Sequence, residues 1–289
     1  MLDFNRFEVL TFDCYGTLID WETGILSTLH RIVSAHNKHI DDATILKLYG
    51  DFEQSAEQTS EQHPFQPYRE VLTSVVRSFG HKLGFVPTPE EVRSLPDSLA
   101  HWKPWPDTVE ALRRLKSRYR LAIISNVDDA LFAATCPQLE VDFDEVITAE
   151  QAQAYKPSLK FFELALSRIH APAHRVLHVG QSIYHDVIPA QSLGLATVWV
   201  NRPSVRPGVG AVKSASATPD LNRQKLGRTR RSRNGQLRLD GVAPPFPRIL
   251  REGGPSTTPT IPPAPSPLSS ESPTSPARLC CECRACASD

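Results

Sequence analysis

The sequence predicts an α/β fold: a doubly wound parallel sheet, interrupted after its first strand by an all-helical insertion and closed by a C-terminal tail expected to be disordered. Three observations predict it. Short β-rich runs at residues 8–12, 121–126, 141–148, 176–180 and 196–200 alternate, from the second onward, with helical periodicity at about 129–135, 158–169 and 185–193. Residues 21–97, between the first two runs, carry helical spacing only. Beyond residue 203 the composition changes abruptly.

The first run, Glu-Val-Leu-Thr-Phe at 8–12, reads as a buried strand ending at the carboxylate of Asp13, before Gly16-Thr17 breaks the pattern. Apolar residues then recur at helical spacing as Ile25, Leu29, Ile32, Val33, next as Ile45, Leu46, Leu48, Tyr49, Phe52, and again as Tyr68, Val71, Leu72, Val75, Val76, Phe79. Pro64 and Pro67 separate the second of these helices from the third, and Thr88 is the N-cap expected for a short fourth. An amphipathic helix with Val109, Leu112 and Leu115 on one face leads to the second strand, which ends in Ser125-Asn126. The later runs complete the strand–helix alternation that a parallel sheet requires. The predicted units are a core of residues 1–20 and 98–203, an insertion of 21–97 and a tail of 204–289.

The 289 residues, 40% hydrophobic and 22% charged, are enough to bury a sizeable core. The net charge of zero conceals two regimes: residues 1–200 sum to −8 and residues 201–289 to +8. Fourteen of the 25 prolines lie in that second region, where too little apolar surface is available to offset chain entropy. The arginines of 223–233 have no interleaved aromatic residues to stack on bases, so nucleic acid is not an expected partner. Cys280, Cys281, Cys283 and Cys286 lack the separated ligand pairs of a zinc site, and Cys14 and Cys136 stand apart in the sequence, so neither a metal nor a disulfide framework is expected. With no apolar run of membrane-spanning length and no leader pattern, the expectation is a cytoplasmic protein without a membrane partner.

A carboxylate at the carboxyl end of a strand sits where open α/β sheets bind ligands, although an Asp before a Gly-Thr turn is by itself an ordinary turn opener. Ser125-Asn126 ends a strand in the same way; either residue is a good helix N-cap, and a helix N-terminus also favours an anion. Lys156, in Tyr-Lys-Pro-Ser at 155–158, reads alone as a solvated surface residue.

Taken together, Phe-Asp-x-Tyr-Gly-Thr-Leu at 12–18, Ser125-Asn126, Lys156-Pro157 and the stretch 178–194 containing Asp186 resemble, in order, the motifs of the haloacid dehalogenase superfamily, in particular the type II 2-haloacid dehalogenases. The resemblance implies a helical cap for 21–97. It also implies Asp13 as nucleophile, Lys156 as the cation that keeps the carboxylates ionised, and Asp186 as activator of water. Cys14 and Tyr15 would stabilise the carbonyl oxygen through their N–H groups, and Ser125 and Asn126 would hold the substrate. The expected reaction is hydrolysis of a short 2-haloacid through an aspartyl ester, with a small-molecule substrate, no cofactor and compatibility with a homodimer.

Phosphatases of the superfamily carry an acid two residues after the nucleophile and a second metal-binding acid where this chain has Tyr15 and Gln181. Magnesium is therefore expected only under a phosphatase alternative; a binding protein that keeps the fold without activity is the other. The family's cap arginine, which receives the halide, has no counterpart at Leu48-Tyr49-Gly50, and Arg69 is the substitute to examine. No role is assigned to His178 or His185. Residues 217–221 resemble the start of the family's closing segment, after which an altered reading frame or retained intron is the expected origin of the basic, proline-rich sequence.

Overall fold

The computed structural model describes residues 2–62, 65–202, 216–224, 226, 229–231 and 237–239. Strands β1 (Val9–Phe12), β2 (Arg120–Ser125), β3 (Glu145–Thr148), β4 (Val176–Gly180), β5 (Ala196–Val200) and β6 (Leu221–Arg223) form one sheet in the order β3-β2-β1-β4-β5-β6. Every neighbouring pair is parallel. β1 is central and wholly buried, which is why its sequence is a β-rich run without polar–apolar alternation, its one polar side chain, Thr11, being paired with His178. The chain moves outward from β1 to β3, then returns to the other side of β1 as β4. The switch point of the sheet thus lies between the carboxyl ends of β1 and β4.

Between β1 and β2 the insertion folds as α1 (Trp21–Ala35), α2 (Asp42–Gln62), α3 (Tyr68–Leu83) and α4 (Pro89–Ser98). Their apolar stripes pack on one another through Leu29, Tyr49, Val75 and Phe79, all inaccessible to solvent. Thr88 caps α4 as its sequence predicts: its hydroxyl accepts from Glu91 N–H while the Glu91 carboxylate accepts from Thr88 N–H. The core helices are α5 (Thr108–Lys116), α6 (Asp129–Thr135), the short α7 (Ala149–Ala152), α8 (Leu159–Ile169) and α9 (Ile188–Ser192). No helix among the described residues is long and apolar enough to cross a membrane.

Two features differ from the sequence reading. The helix expected over 185–193 begins as a π-helical turn, Ile183–Val187, and only then becomes α9. Ser182 caps that turn through His185 N–H. The second difference is that the sheet runs past residue 203, where the composition change placed its end. β6 pairs with β5, Asp220 accepts from both the N–H and the hydroxyl of Thr197, and Leu226 N–H donates to Asp107. A separate antiparallel pair joins 229–231 to 237–239. The rest of the expected tail, including Cys280 to Cys286, lies outside the described residues.

Candidate active site

The switch point collects the chemistry. Asp13 follows β1 and its N–H donates to Val179 O at 3.0 Å, so the backbone is still held by β4 where the carboxylate leaves the sheet. Ser125 and Asn126 end β2, Lys156 comes from the loop between α7 and α8, and Asp186 from the π-helical turn after β4. π-helical turns widen a helix by one residue and recur at functional sites. Here the turn returns Asp186 onto the end of β4, where its Oδ2 accepts from Ser182 N–H at 3.0 Å. Gly180 makes this approach fit, since a Cβ there would lie 2.5 Å from the Asp186 carboxylate.

Lys156 is the centre of the arrangement. Its Nζ donates to Asp13 Oδ1 at 2.8 Å, to Asp186 Oδ1 at 2.7 Å and to Ile124 O at 3.1 Å, which engages all three ammonium donors. The side chain is 2% exposed. Burial alone would neutralise this lysine, but the two carboxylates reverse the effect and raise its pKa above the ordinary range. The carboxylates diverge. Burial pushes Asp186 up, yet Lys156 and the buried His178 outweigh it and hold Asp186 well below the usual carboxylate range. For Asp13, burial together with the like charge of Asp186 outweighs Lys156, and its pKa lies above the ordinary value.

Thr17 is a member of the site that the sequence reading treated only as part of a turn. Its hydroxyl donates to Asp13 Oδ2 at 2.6 Å and accepts from Gln181 N–H at 2.9 Å, so it fixes the carboxylate and ties β1 to the loop after β4. A Thr four residues beyond the strand-end Asp was the available signal. Gly16 allows the tight return between them: it has φ +94°, and a Cβ there would meet Gln181 Oε1 at 2.1 Å.

Among the described residues, no acceptor meets the N–H groups of Cys14 and Tyr15, which leaves two backbone donors beside the Asp13 carboxylate. The Tyr15 phenol is engaged elsewhere, with Thr135 Oγ1 at 2.7 Å, and burial raises its pKa well above the ordinary value. Ser125 and Asn126 line the cleft. The Asn126 amide is already committed: Oδ1 accepts from Lys156 N–H at 2.8 Å, and Nδ2 donates to Glu57 Oε1 at 3.3 Å and to Lys156 O at 3.4 Å.

The cap supplies the opposite wall, with Trp21 from α1, Glu53 and Glu57 from α2 and Tyr68 from α3. The sequence reading assigned none of these to the site. Tyr49 OH donates to Glu53 Oε1 at 2.8 Å, and Tyr68 OH donates to the same oxygen. Arg69, the substitute considered for the missing cap arginine, does not reach the cleft; its guanidinium pairs with Asp97 at 2.6 Å on the surface. His185 lines the cleft, and His178 lies beneath it, with Nδ1 2.8 Å from Thr11 Oγ1 and Nε2 3.5 Å from Asp186 Oδ1.

A magnesium ion, which phosphatases of this fold use, fits these donors poorly. Both oxygens of Asp13 and both of Asp186 already accept hydrogen bonds, and the third position is the neutral Gln181 amide, whose Nε2 donates to Arg202 O at 3.0 Å. Among the described residues, no cluster of three or more His, Cys, Asp or Glu side chains is arranged to hold a metal. The cleft has a volume of about 70 Å³.

Over 223 residues the chain is 27% identical to an (S)-2-haloacid dehalogenase of Pseudomonas fluorescens, covering 72% of this chain and 88% of that one. A glyceraldehyde 3-phosphate phosphatase of Methanothermobacter thermautotrophicus is 33% identical over 102 residues, 34% of this chain and 45% of the phosphatase. In fold, the chain superposes on the L-2-haloacid dehalogenase of Xanthobacter autotrophicus with chloropropionic acid covalently bound, with a TM-score of 0.65 at 18% identity over 76% of this chain and 96% of that one. The family model for haloacid dehalogenase-like hydrolases matches residues 7–194, which span the central strands, the cap and every residue that meets Lys156: the chain belongs to that family of hydrolases.

Proposed function

We propose that the protein hydrolyses the carbon–halogen bond of a short halogenated compound by covalent catalysis at Asp13. The observation that carries this reading is the buried Lys156 ammonium bridging Asp13 and Asp186, one on each side of the switch point. A carboxylate at a strand end, with one oxygen held by Thr17 and the other by Lys156, is a nucleophile fixed in position. It displaces halide from the substrate carbon and becomes an ester. Water oriented by Asp186 then attacks the Asp13 carbonyl carbon, and the developing oxyanion is met by Lys156 and the Cys14 and Tyr15 N–H groups. Cleavage of the acyl–oxygen bond releases the alcohol and restores the Asp13 carboxylate; the net change is organic halide plus water to alcohol, halide and a proton.

The leaving group supports this choice over ester or phosphate cleavage. An alkoxide needs a proton as it departs, and Tyr15, in the place where a superfamily phosphatase has its acid, holds its proton too tightly to give it near neutrality. Halide needs none. A single turnover in oxygen-18 water with enzyme in excess should leave the label on Asp13 while the product oxygen comes from the original carboxylate, and Asp13→Asn should lose activity by at least ~10⁴-fold. Label found in the product alone during that turnover excludes the ester. Activity on phosphate esters that requires added magnesium, with no halide release in EDTA, excludes the carbon–halogen reading.

A further inference from the structure

Among the described residues one ammonium faces the reaction centre, and it is fully engaged. All three donors of Lys156 are used within the protein, Arg69 is held on the surface by Asp97, and among the described residues no other Lys or Arg lines the cleft. The lining of the cleft instead includes the carboxylates of Glu53 and Glu57 together with the side chains of Trp21 and Tyr68. The two phenols that meet Glu53 both converge on Oε1. Among the described residues Oε2 therefore accepts no hydrogen bond, while the carboxylate as a whole borders the cavity. Burial raises the pKa of Glu53 even against those two phenol donors, so its charged form is held at a cost. A hydrogen-bond donor or cation arriving in the cleft relieves that cost; a second carboxylate there increases it.

We propose that Glu53 selects the substrate: its Oε2 receives the non-reacting end of a short halogenated molecule, an end that donates hydrogen bonds and bears no negative charge, such as an amide or an ammonium group. A carboxylate oxygen without a donor accepts equally well from an amide N–H or an ammonium N–H. A carboxylate end, as in a 2-haloacid, would face Glu53, Glu57 and Asp13 with no unengaged Lys or Arg among the described residues to offset them. The proposal rests on the carbon–halogen reading for its chemistry, while its claim about charge is testable without any reaction.

The full-length protein is titrated with propionate, propionamide and propylammonium, none of which can react. Propionamide or propylammonium should bind at least ~10-fold more tightly than propionate, and Glu53→Gln should shrink that preference by a similar factor, because the variant keeps an acceptor at Oε1 for the phenols while removing the charge. Propionate binding as tightly as the other two overturns the proposal, as does a preference unchanged in a folded Glu53→Gln protein. Chloride release is then compared for 2-chloropropionate and 2-chloropropionamide. Faster release from the amide supports both readings, and a kcat/KM at least ~10-fold higher for the acid keeps the carbon–halogen reading while overturning the role of Glu53. No release from either, with the binding order as expected, removes the carbon–halogen reading and leaves the charge preference standing.

Discussion

At the residue scale the site is a problem of three charges held in a largely buried space. Two carboxylates this close would share a proton, as like charges in one site do, unless a cation lies between them. Lys156 is that cation, and its removal has a calculable consequence. Lys156→Met leaves two buried carboxylates unpaired, and the expected cost is ~3–5 kcal/mol of unfolding free energy near neutrality. In the parent protein the depressed pKa of Asp186 contributes stability that is present above its unfolded value and is lost as pH falls through the folded one; the raised pKa of Lys156 contributes stability present below its unfolded value and lost only in strong alkali. In the variant the pKa of Asp186 rises instead, and that of Asp13, already raised in the parent, rises further. The difference between the two proteins should therefore narrow as the pH is lowered from ~8 to ~5. Urea unfolding across that range measures it, and a cost below ~1 kcal/mol, or one independent of pH, would show that the three groups are not coupled as their distances imply. Asp13, Lys156 and Asp186 were legible in the sequence because each follows a strand or motif of known order. Glu53 was not. On α2 it sits one residue after the apolar Phe52 and reads as a solvated helical glutamate; only the packing of α2 and α3 brings it, with Tyr49 and Tyr68, over a cleft made by other elements.

At the scale of elements, β1, β2, β4 and β5 were readable because buried parallel strands are continuous β-rich runs that a bare pattern detects. β6 was not, because three residues, Leu221–Arg223, with only partial burial carry no such run and sit in basic, proline-rich sequence. Its place in the sheet is set by tertiary hydrogen bonds instead: Asp220 on Thr197, Arg223 O accepting from Asn201 N–H, and Leu226 N–H on Asp107. Two truncations separate the roles of composition and pairing. Ending the chain after Gly227 keeps these bonds and should leave thermal stability close to that of the full chain. Ending it after Arg202 removes them and bares the edge of β5; at ~1 kcal/mol per hydrogen bond the loss is about 2–4 kcal/mol, with a tendency to associate through the exposed edge. Equal melting temperatures for the two truncations would mean that β6 adds nothing to the sheet.

At the scale of the whole molecule, cap and core must be held at a fixed separation for Glu53 and Asp13 to border one cleft, and the contact that holds them is a helix cap made across the two units. α3 begins after Pro67, which offers no side-chain acceptor for the unpaired N–H groups of the first turn. Asp128, in the core loop after β2, takes that role: its Oδ1 accepts from Tyr68 N–H at 2.6 Å and its Oδ2 from Arg69 N–H at 2.7 Å. The positive end of the α3 dipole adds to both bonds. Nearby, Tyr155 OH donates to Gln66 O at 2.7 Å, so the residue preceding Lys156 also grips the entry to α3. The same stretch thus fixes Tyr68 over the cleft and Lys156 beneath it. Asp128→Ala removes both charge-assisted bonds and leaves two buried donors without partners, a loss of about 2–4 kcal/mol in cap–core coupling, whereas Tyr155→Phe removes one neutral bond worth ~1 kcal/mol. Hydrogen exchange read at the Tyr68 and Arg69 amides should quicken by ~10-fold or more in Asp128→Ala, with protection in the central strand β1 much less affected, because the opening is local to the interface. On a reactive substrate KM should rise more than kcat falls, since Asp128 touches neither substrate nor nucleophile and acts by keeping the wall in place. If exchange at the two amides is unchanged while β1 loses protection, Asp128 supports the core fold rather than the junction, and the separation of Glu53 from Asp13 is set by other contacts, among them Tyr155 OH on Gln66 O and Asn126 Nδ2 on Glu57 Oε1.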